Sequence, residues 1–177
     1  MDPVASRQSG LVCKREGDLK RAFENLSKAS ELGDAAANYQ MGVMYQCGEY
    51  VTMNHSKRVR HLEEAAIGGH PRARHDLGEL EFLKAPFEKG HKLAAARAAK
   101  HWMIATKLGY DESLKYLKLM CEAGDVGKED FAAALRGHKA AVDATKSPQR
   151  EEALIALGIG EDGCVGRQPR RWVISGR

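Results

Sequence analysis

The sequence has no long hydrophobic run, and only 6% of its 177 residues are aromatic. No stretch reaches the roughly 18 consecutive apolar residues that a membrane-spanning helix needs. The N-terminus, MDPVASRQSG, lacks the basic start and apolar core of a secretion signal. These absences predict a chain that neither crosses a membrane nor carries a visible export signal.

Cysteine is scarce and scattered. The four cysteines, Cys13, Cys47, Cys121 and Cys164, form no CxxC pair. A disulfide framework or a zinc motif therefore has no support. We expect reduced thiols, no metal and no cofactor, in a cytoplasmic or nuclear protein.

Most of the chain also lacks any long segment whose charges are all of one sign. The formal net charge is +4, and acidic and basic residues alternate except in the tail GCVGRQPRRWVISGR, residues 163–177, which has four arginines and no acid. A basic tail is a weak indication of an anionic partner such as nucleic acid. A solvated, disordered end is the stronger interpretation.

What the sequence does contain is helix-forming residues. Hydrophobic residues make up 43% and charged residues 29% of the chain, the mixture of a globular protein. Alanine is abundant and β-branched residues are few, which favours an all-α fold. The length suits one domain with a real core.

Internal repetition is the strongest signal. The segment RHLEEAAIGGH, ending near Gly69, has counterparts in ENLSKASELGD and KHWMIATKLGY. Equivalent positions carry a large apolar residue, a small residue, a second small residue and a closing glycine: Leu26, Leu62 and Trp102; Ala29, Ala65 and Ala105; Ser30, Ala66 and Thr106; Gly33, Gly69 and Gly109. This pattern predicts a helix that ends at a glycine in the left-handed conformation.

A second segment repeats between these helices. PRARHDLG aligns with PVASRQSG, AAANYQMG and, more loosely, DESLKYLK, which bring together small residues and Gly10, Gly42 and Gly78. Ala37, Met41 and Tyr45 lie on one face at helical spacing. Each unit therefore reads as helix, turn, helix, and stacked units bury the faces that one unit leaves open.

The joint between two units explains a stretch that resembles a chemical site. LEEAAIGGHPRARHDLG, residues 62–78, contains two histidines and a Gly-Gly pair. The glycines end one helix, and Pro71 suits the first turn of the next. His70 and His75 are about 140° apart around a helix, so a shared metal ion is not expected.

These columns resemble the Sel-one-like repeats (SLR), relatives of the tetratricopeptide repeats. The resemblance covers roughly residues 3–143, including a closing helix in KEDFAAALRGHKAAVDATKS ended by Ser147-Pro148, and is carried most fully by Ala37, Met41, Gly42, Tyr45, Gly48, Val51, Leu62, Ala65, Ala66 and Gly69. The sequence departs from the family pattern at Tyr50, Asn54 and Glu81. The first-to-second-helix distance grows along the chain, with an insertion around Lys84-Ala85-Pro86-Phe87.

The resemblance implies an α-solenoid, an alpha-alpha superhelix, of about three to four repeats that binds other proteins and is not an enzyme. We predict this domain over residues 1–147, followed by a C-terminal helix or disordered basic tail over residues 148–177. Related chains serve in adaptor, scaffold, ubiquitin-ligase and stress-signalling assemblies. The chain is accordingly expected to be a scaffold or adaptor for a protein or an extended peptide.

A partner surface is predicted half a turn away from the apolar stripe of each first helix. We expect an exposed, concave face there, formed by three columns: Arg7, Tyr39, His75 and Lys115; Leu11, Val43, Glu79 and Leu119; Lys14, Gln46, Phe82 and Glu122. Its proposed binding residues are Arg7, Tyr39, Val43, Gln46, His75, Glu79, Phe82, Lys115 and Glu122. The alternative is that Tyr39, Val43 and Phe82 pack between neighbouring units.

Other functions have weaker support. The chain could be an accessory module of a ubiquitin-ligase or signalling assembly that has lost a separate domain, or repeats could frame a thiol or metal hydrolase. Cys47 is more simply a buried structural cysteine. The polar turn with His75, Asp76 and Glu79 is more simply a solvated face, and LGIGEDGCVG, residues 157–166, follows no predicted strand as a nucleotide-binding loop would. Trp172 and the tail arginines could contact an acidic partner.

Overall fold

The computed structural model describes residues 2–84 and 91–145. Over these residues the chain forms eight helices and no strand, as the composition and periodicity predict. The helices are α1 (Pro3–Glu16), α2 (Leu19–Glu31), α3 (Ala35–Cys47), α4 (His55–Ile67), α5 (Pro71–Lys84), α6 (His91–Lys107), α7 (Asp111–Ala123) and α8 (Lys128–Thr145).

The helices follow one another as pairs, and each pair is one copy of the repeat. In the first three copies α1 packs on α2, α3 on α4 and α5 on α6, while α2, α4 and α6 pack on the first helix of the next copy. Copy four consists of α7 and α8. This stacking of helix pairs is the α-solenoid arrangement expected from the repeat.

Met1–Ala141 forms one compact unit that contains the repeat, and Val142–Arg177 is assigned to a second unit. Of the second unit the structure describes residues 142–145, the end of α8. The predicted closing helix is confirmed. Its predicted end at Ser147-Pro148, the domain boundary at residue 147 and the predictions for Cys164, Trp172 and the basic tail lie outside the described residues, as does most of the predicted insertion.

Helix ends fall where the sequence predicts them. Gly33, Gly69 and Gly109 follow second helices with φ of 83°, 82° and 85°, the left-handed conformation that a side chain would disfavour. At the start of α3 the Ala37 N–H donates to Asp34 Oδ1 at 2.7 Å. His70 does the same for α5, since the Ala73 N–H donates to His70 Nδ1 at 3.2 Å. The Gly-Gly-His-Pro stretch is therefore a helix joint.

A glycine within each of the first helices α1, α3 and α5 allows close contact with a large side chain of the second helix, whereas α7 has Lys118 at this position. A Cβ atom added at Gly42 would lie 3.4 Å from Leu62 Cδ2, and one added at Gly78 would lie 2.5 Å from Trp102 Nε1. Trp102 is 1% exposed. The repeated glycine is thus the place where helix meets helix, and copy three has the tightest fit.

Tyr50 differs from the family pattern and adopts the conformation that a glycine there would favour. Its φ is 65°, in the left-handed region that non-glycine residues rarely occupy. Its exposed ring lies 5.7 Å from that of Phe23. Tyr50 therefore places a large exposed side chain on a backbone conformation that glycine adopts more readily.

The core is divided along the array. One cluster joins α2 with α3, a second joins α3, α4 and α5, and a third joins α6, α7 and α8. Alanine supplies much of each cluster, as close helix packing requires. None of the described helices is long and apolar enough to cross a membrane.

Candidate functional site

Equivalent residues of α1, α3, α5 and α7 form a stripe of side chains that are accessible to solvent. We call this surface the first-helix stripe. All its members are exposed or half-buried. They are, in four columns, Val4, Ala36, Arg72 and Glu112; Gln8, Gln40, Asp76 and Tyr116; Leu11, Val43, Glu79 and Leu119; Arg15, Cys47, Leu83 and Ala123.

The prediction of an exposed Tyr39 and His75 is wrong. Tyr39 is 6% and His75 is 4% exposed, because this column faces the neighbouring first helix. In the same column Arg7 Nε lies 3.4 Å from Asp34 Oδ2, which precedes the next first helix. Only Lys115, in the last copy, is exposed.

The two other predicted columns do face solvent. Val43 and Glu79 are half-buried and belong to the first-helix stripe, whereas Gln46, Phe82 and Glu122 are exposed beside it. Phe82 is 44% exposed although its ring contacts that of Trp102 at 5.6 Å. Lys14, in the same column, pairs with Glu49 at 2.7 Å. The accessible surface therefore includes two of the three predicted columns and excludes the column of Tyr39 and His75.

Tyr39 joins α3 to the start of α5. Its ring stacks on the His70 imidazole at 4.5 Å, and the Arg72 guanidinium lies 5.7 Å from the ring centre. Burial, with the nearby Asp76 carboxylate, raises the pKa of Tyr39 to about 12. Burial also raises the pKa of Asp76, against the effect of Arg72. Tyr39 is thus a neutral hydrogen-bonding residue of the repeat junction.

His75 joins α5 to α7. Its Nδ1 lies 2.9 Å from Ser113 Oγ, and its Nε2 lies 3.6 Å from Glu79 Oε1. The Tyr116 hydroxyl donates to the same Glu79 oxygen at 3.1 Å. The expectation that this polar turn is a solvated face is wrong at His75, because the imidazole is enclosed by α7 side chains.

Ser113, His75 and Glu79 have the side-chain types of a hydrolase triad. A nucleophile must be reached by its substrate, however, and Ser113 is 0% exposed. His75 and Ser113 therefore form a buried polar link between copies three and four, and Glu79 lies at its partly exposed edge. No group of three or more histidine, cysteine or acidic side chains in the described ranges could hold a metal ion.

Cys47 also differs from expectation, since its side chain is exposed and not buried. It follows Gln46 at the end of α3, where the helix terminates at Gly48 with φ of 70°. Helix periodicity places Cys47 on the first-helix stripe, one turn beyond Val43. The sequence analysis favoured a buried structural cysteine because no histidine and carboxylate arrangement could be assigned to Cys47.

Charge varies along the first-helix stripe. In α1 it has Arg15 beside the neighbouring Lys14, whereas in α5 and α7 it has the carboxylates of Asp76, Glu79 and Glu112 together with the guanidinium of Arg72. Apolar side chains accompany both ends, with Val4 43% and Leu119 63% exposed. Sequence reasoning missed the Gln40, Asp76 and Tyr116 column, whose exposure depends on which flank of each first helix the next copy covers.

The arrangement of the helices is that of a known repeat protein. The structure superposes on the crystal structure of a Sel1 repeat protein from Oxalobacter formigenes with a TM-score of 0.64 at 21% sequence identity, covering 89% of this chain. This chain has the fold of a Sel1 repeat protein. It spans 65% of the length of that protein. No protein-family model matches the sequence, and no curated protein matches it.

The Sel1 repeat fold agrees with the resemblance found in the repeat columns. In this chain, the glycines that separate the helices and the glycines at helix contacts are the same ones that carry the sequence pattern. At this level of identity the similarity concerns the fold, and the first-helix stripe is a property of this chain.

Proposed function

We propose that the protein is a non-catalytic scaffold or adaptor, and that its first-helix stripe binds another protein or an extended peptide. The observation that carries this proposal is the recurrence of accessible side chains at the same columns in every first helix. A surface that repeats at each copy suits a partner that extends along the array. The Sel1 repeat fold, which generally mediates protein–protein interaction, supports the same conclusion.

The composition of the stripe favours a protein partner. Leu119 and Val43 offer apolar contact, while Gln40 and Tyr116 offer hydrogen-bonding groups on the neighbouring column. Protein interfaces combine an apolar centre with polar groups at the edge. The burial of Ser113 argues against hydrolysis by the Ser113–His75–Glu79 group.

Site-directed photocrosslinking tests the proposal. A benzoyl-phenylalanine residue placed at Gln40 or at Leu119 would lie on the first-helix stripe in copies two and four. Matched positions at Lys28 and Arg60 are exposed on the second helices α2 and α4. In a lysate of the source organism, we expect both stripe positions to crosslink to the same protein and both second-helix positions to leave it unlabelled.

Introduction of a positive charge provides the second arm. Leu119→Lys should abolish the crosslink from Gln40 without changing the helical circular dichroism or the melting temperature, because Leu119 is 63% exposed. Equal labelling from the second-helix positions would contradict a stripe-specific partner. Labelling from the second-helix positions alone would indicate that the partner binds α2 and α4.

A further inference from the structure

Two groups of side chains occupy equivalent repeat positions in copies two and three but differ in their hydrogen-bonding properties. In copy two, Asn38 of α3 meets Ser30 of α2 and His61 of α4. The Ser30 hydroxyl donates to Asn38 Oδ1 at 2.7 Å, and His61 Nδ1 lies 3.0 Å from the same oxygen. An amide oxygen only accepts hydrogen bonds, so the His61 Nδ1 carries the proton. We call these three residues the neutral node.

The next copy replaces the acceptor of this node by a donor. The columns of Ser30, Asn38 and His61 hold Ala66, Arg74 and His101 one copy later, which we call the cationic node. Arg74 Nε and His101 Nδ1 are both buried, and neither has a hydrogen-bond partner among the described residues. A guanidinium N–H can only donate, and Ala66 removes the hydroxyl that Ser30 contributes. The cationic node therefore lacks the acceptor that the neutral node has.

The two side chains of the cationic node are close enough to affect each other. Burial lowers the pKa of His101, and the Arg74 guanidinium lowers it further. This is the effect of placing a second cationic group beside an imidazole in a partly dehydrated site. An anion between them would relieve both the repulsion and the missing hydrogen bonds.

The chain's nearby carboxylates do not fill this position. Glu81 accepts from Arg97 Nε at 2.6 Å and from Lys84 Nζ at 2.9 Å, so it is already paired. Glu63 is exposed on α4 and makes no ion pair within the described residues. Both raise the pKa of His101, but less than Arg74 lowers it.

We propose that the cationic node binds an oxyanion, a carboxylate or phosphate group, between Arg74 and His101. The guanidinium offers planar, permanently charged donors that match two oxygens of either group. His101 offers a ring nitrogen that becomes a second donor on protonation. The node lies between α5 and α6, outside the first-helix stripe, so this site is independent of the function proposed above.

Histidine NMR titration tests the site with a control inside the same molecule. The pKa values of His101 and His61 are measured by long-range proton–nitrogen correlation in chloride, in acetate and in inorganic phosphate at equal ionic strength. Binding favours the protonated ring, so the pKa of His101 should rise by about one pH unit in at least one oxyanion. His61, in the equivalent column of the neutral node, should not respond. Comparison of acetate with phosphate identifies the preferred group.

Arg74→Asn gives copy three the asparagine and histidine of the neutral node and should remove the oxyanion response while the His101 resonance remains measurable. Arg74→Gln is a second variant in case the asparagine does not fold. An unchanged His101 pKa in both oxyanions would overturn the proposal, as would a response that persists without the arginine. If Glu63→Gln creates an oxyanion response that the unaltered chain lacks, the chain's own carboxylate fills the node and the proposal is also wrong.

Discussion

Copies two and three of the repeat share one backbone arrangement and differ in what fills it. In copy two the contact glycine Gly42 faces Leu62, and the node beside it is neutral and hydrogen-bonded. In copy three Gly78 faces Trp102, and the node is cationic and lacks an acceptor. The comparison teaches that the glycine and alanine columns fix the helix pair, while the side chains around them can be exchanged for new chemistry.

The largest difference between the two copies should appear at the contact glycines. Gly78→Ala should destabilise the protein by about 2–3 kcal/mol, because the added Cβ would lie 2.5 Å from Trp102 Nε1 and the indole must move. Gly42→Ala should change the free energy of unfolding by less than about 1 kcal/mol, since its Cβ would meet Leu62 at an ordinary distance and alanine favours helix. Urea unfolding of the two variants measures both; equal losses would contradict the tighter fit of copy three.

The second-largest difference in stability is expected between variants of the neutral node and of the cationic node. Asn38→Ala leaves the Ser30 hydroxyl and the His61 Nδ1 without their common acceptor, which should cost about 2 kcal/mol. Arg74→Ala removes a guanidinium whose Nε has no partner among the described residues, and should change stability by at most about 1 kcal/mol in chloride. Urea unfolding in chloride measures the loss of stability in each of these two variants. A larger loss at Arg74 than at Asn38 would mean that the arginine has a stabilising partner in the folded chain.

The smallest effect expected is a pH dependence shared by the two copies. Burial lowers the pKa of His61, His70 and His101 from the ordinary value of 6.5. The unfolded chain therefore binds protons more readily, so this contribution to stability is fully present above about pH 6.5 and is lost as pH falls toward the folded-state pKa values. Thermal unfolding between pH 7.5 and about 5.5 should show a falling melting temperature.

Arg74→Asn should reduce that pH dependence, because it removes the charge that lowers the pKa of His101 in addition to burial. His61→Asn should reduce it separately, in copy two. A pH dependence that neither variant changes would contradict the lowered pKa values of His61 and His101.

Much of the fold could be predicted from the sequence because its signals are local or periodic. Gly33, Gly69 and Gly109 end helices by their own backbone preference, and Pro71 marks a helix start. Val43 and Glu79 were predicted at the surface because they lie opposite the apolar face formed by Ala37, Met41 and Tyr45. These inferences need only one helix and its spacing.

The errors concern contacts between copies. Tyr39 and His75 were expected to be exposed, since the pattern of one helix does not reveal which flank the next first helix covers. Cys47 was expected to be buried, since no catalytic partner could be assigned to it and a structural cysteine is usually buried. His75 and Ser113 belong to different copies, and no spacing in the sequence places their side chains within 2.9 Å of each other.

By itself the sequence determined that this protein is an all-α array of helix pairs, because helix periodicity, glycine stops and repeated small residues act within one unit. The tertiary structure alone decided which surface of each first helix meets solvent and which side chains become buried polar links. It also decided that Arg74 Nε and His101 Nδ1 are buried without a hydrogen-bond partner among the described residues. The physical reason is that burial and hydrogen bonding depend on the neighbouring copy, which the pattern of a single unit does not describe.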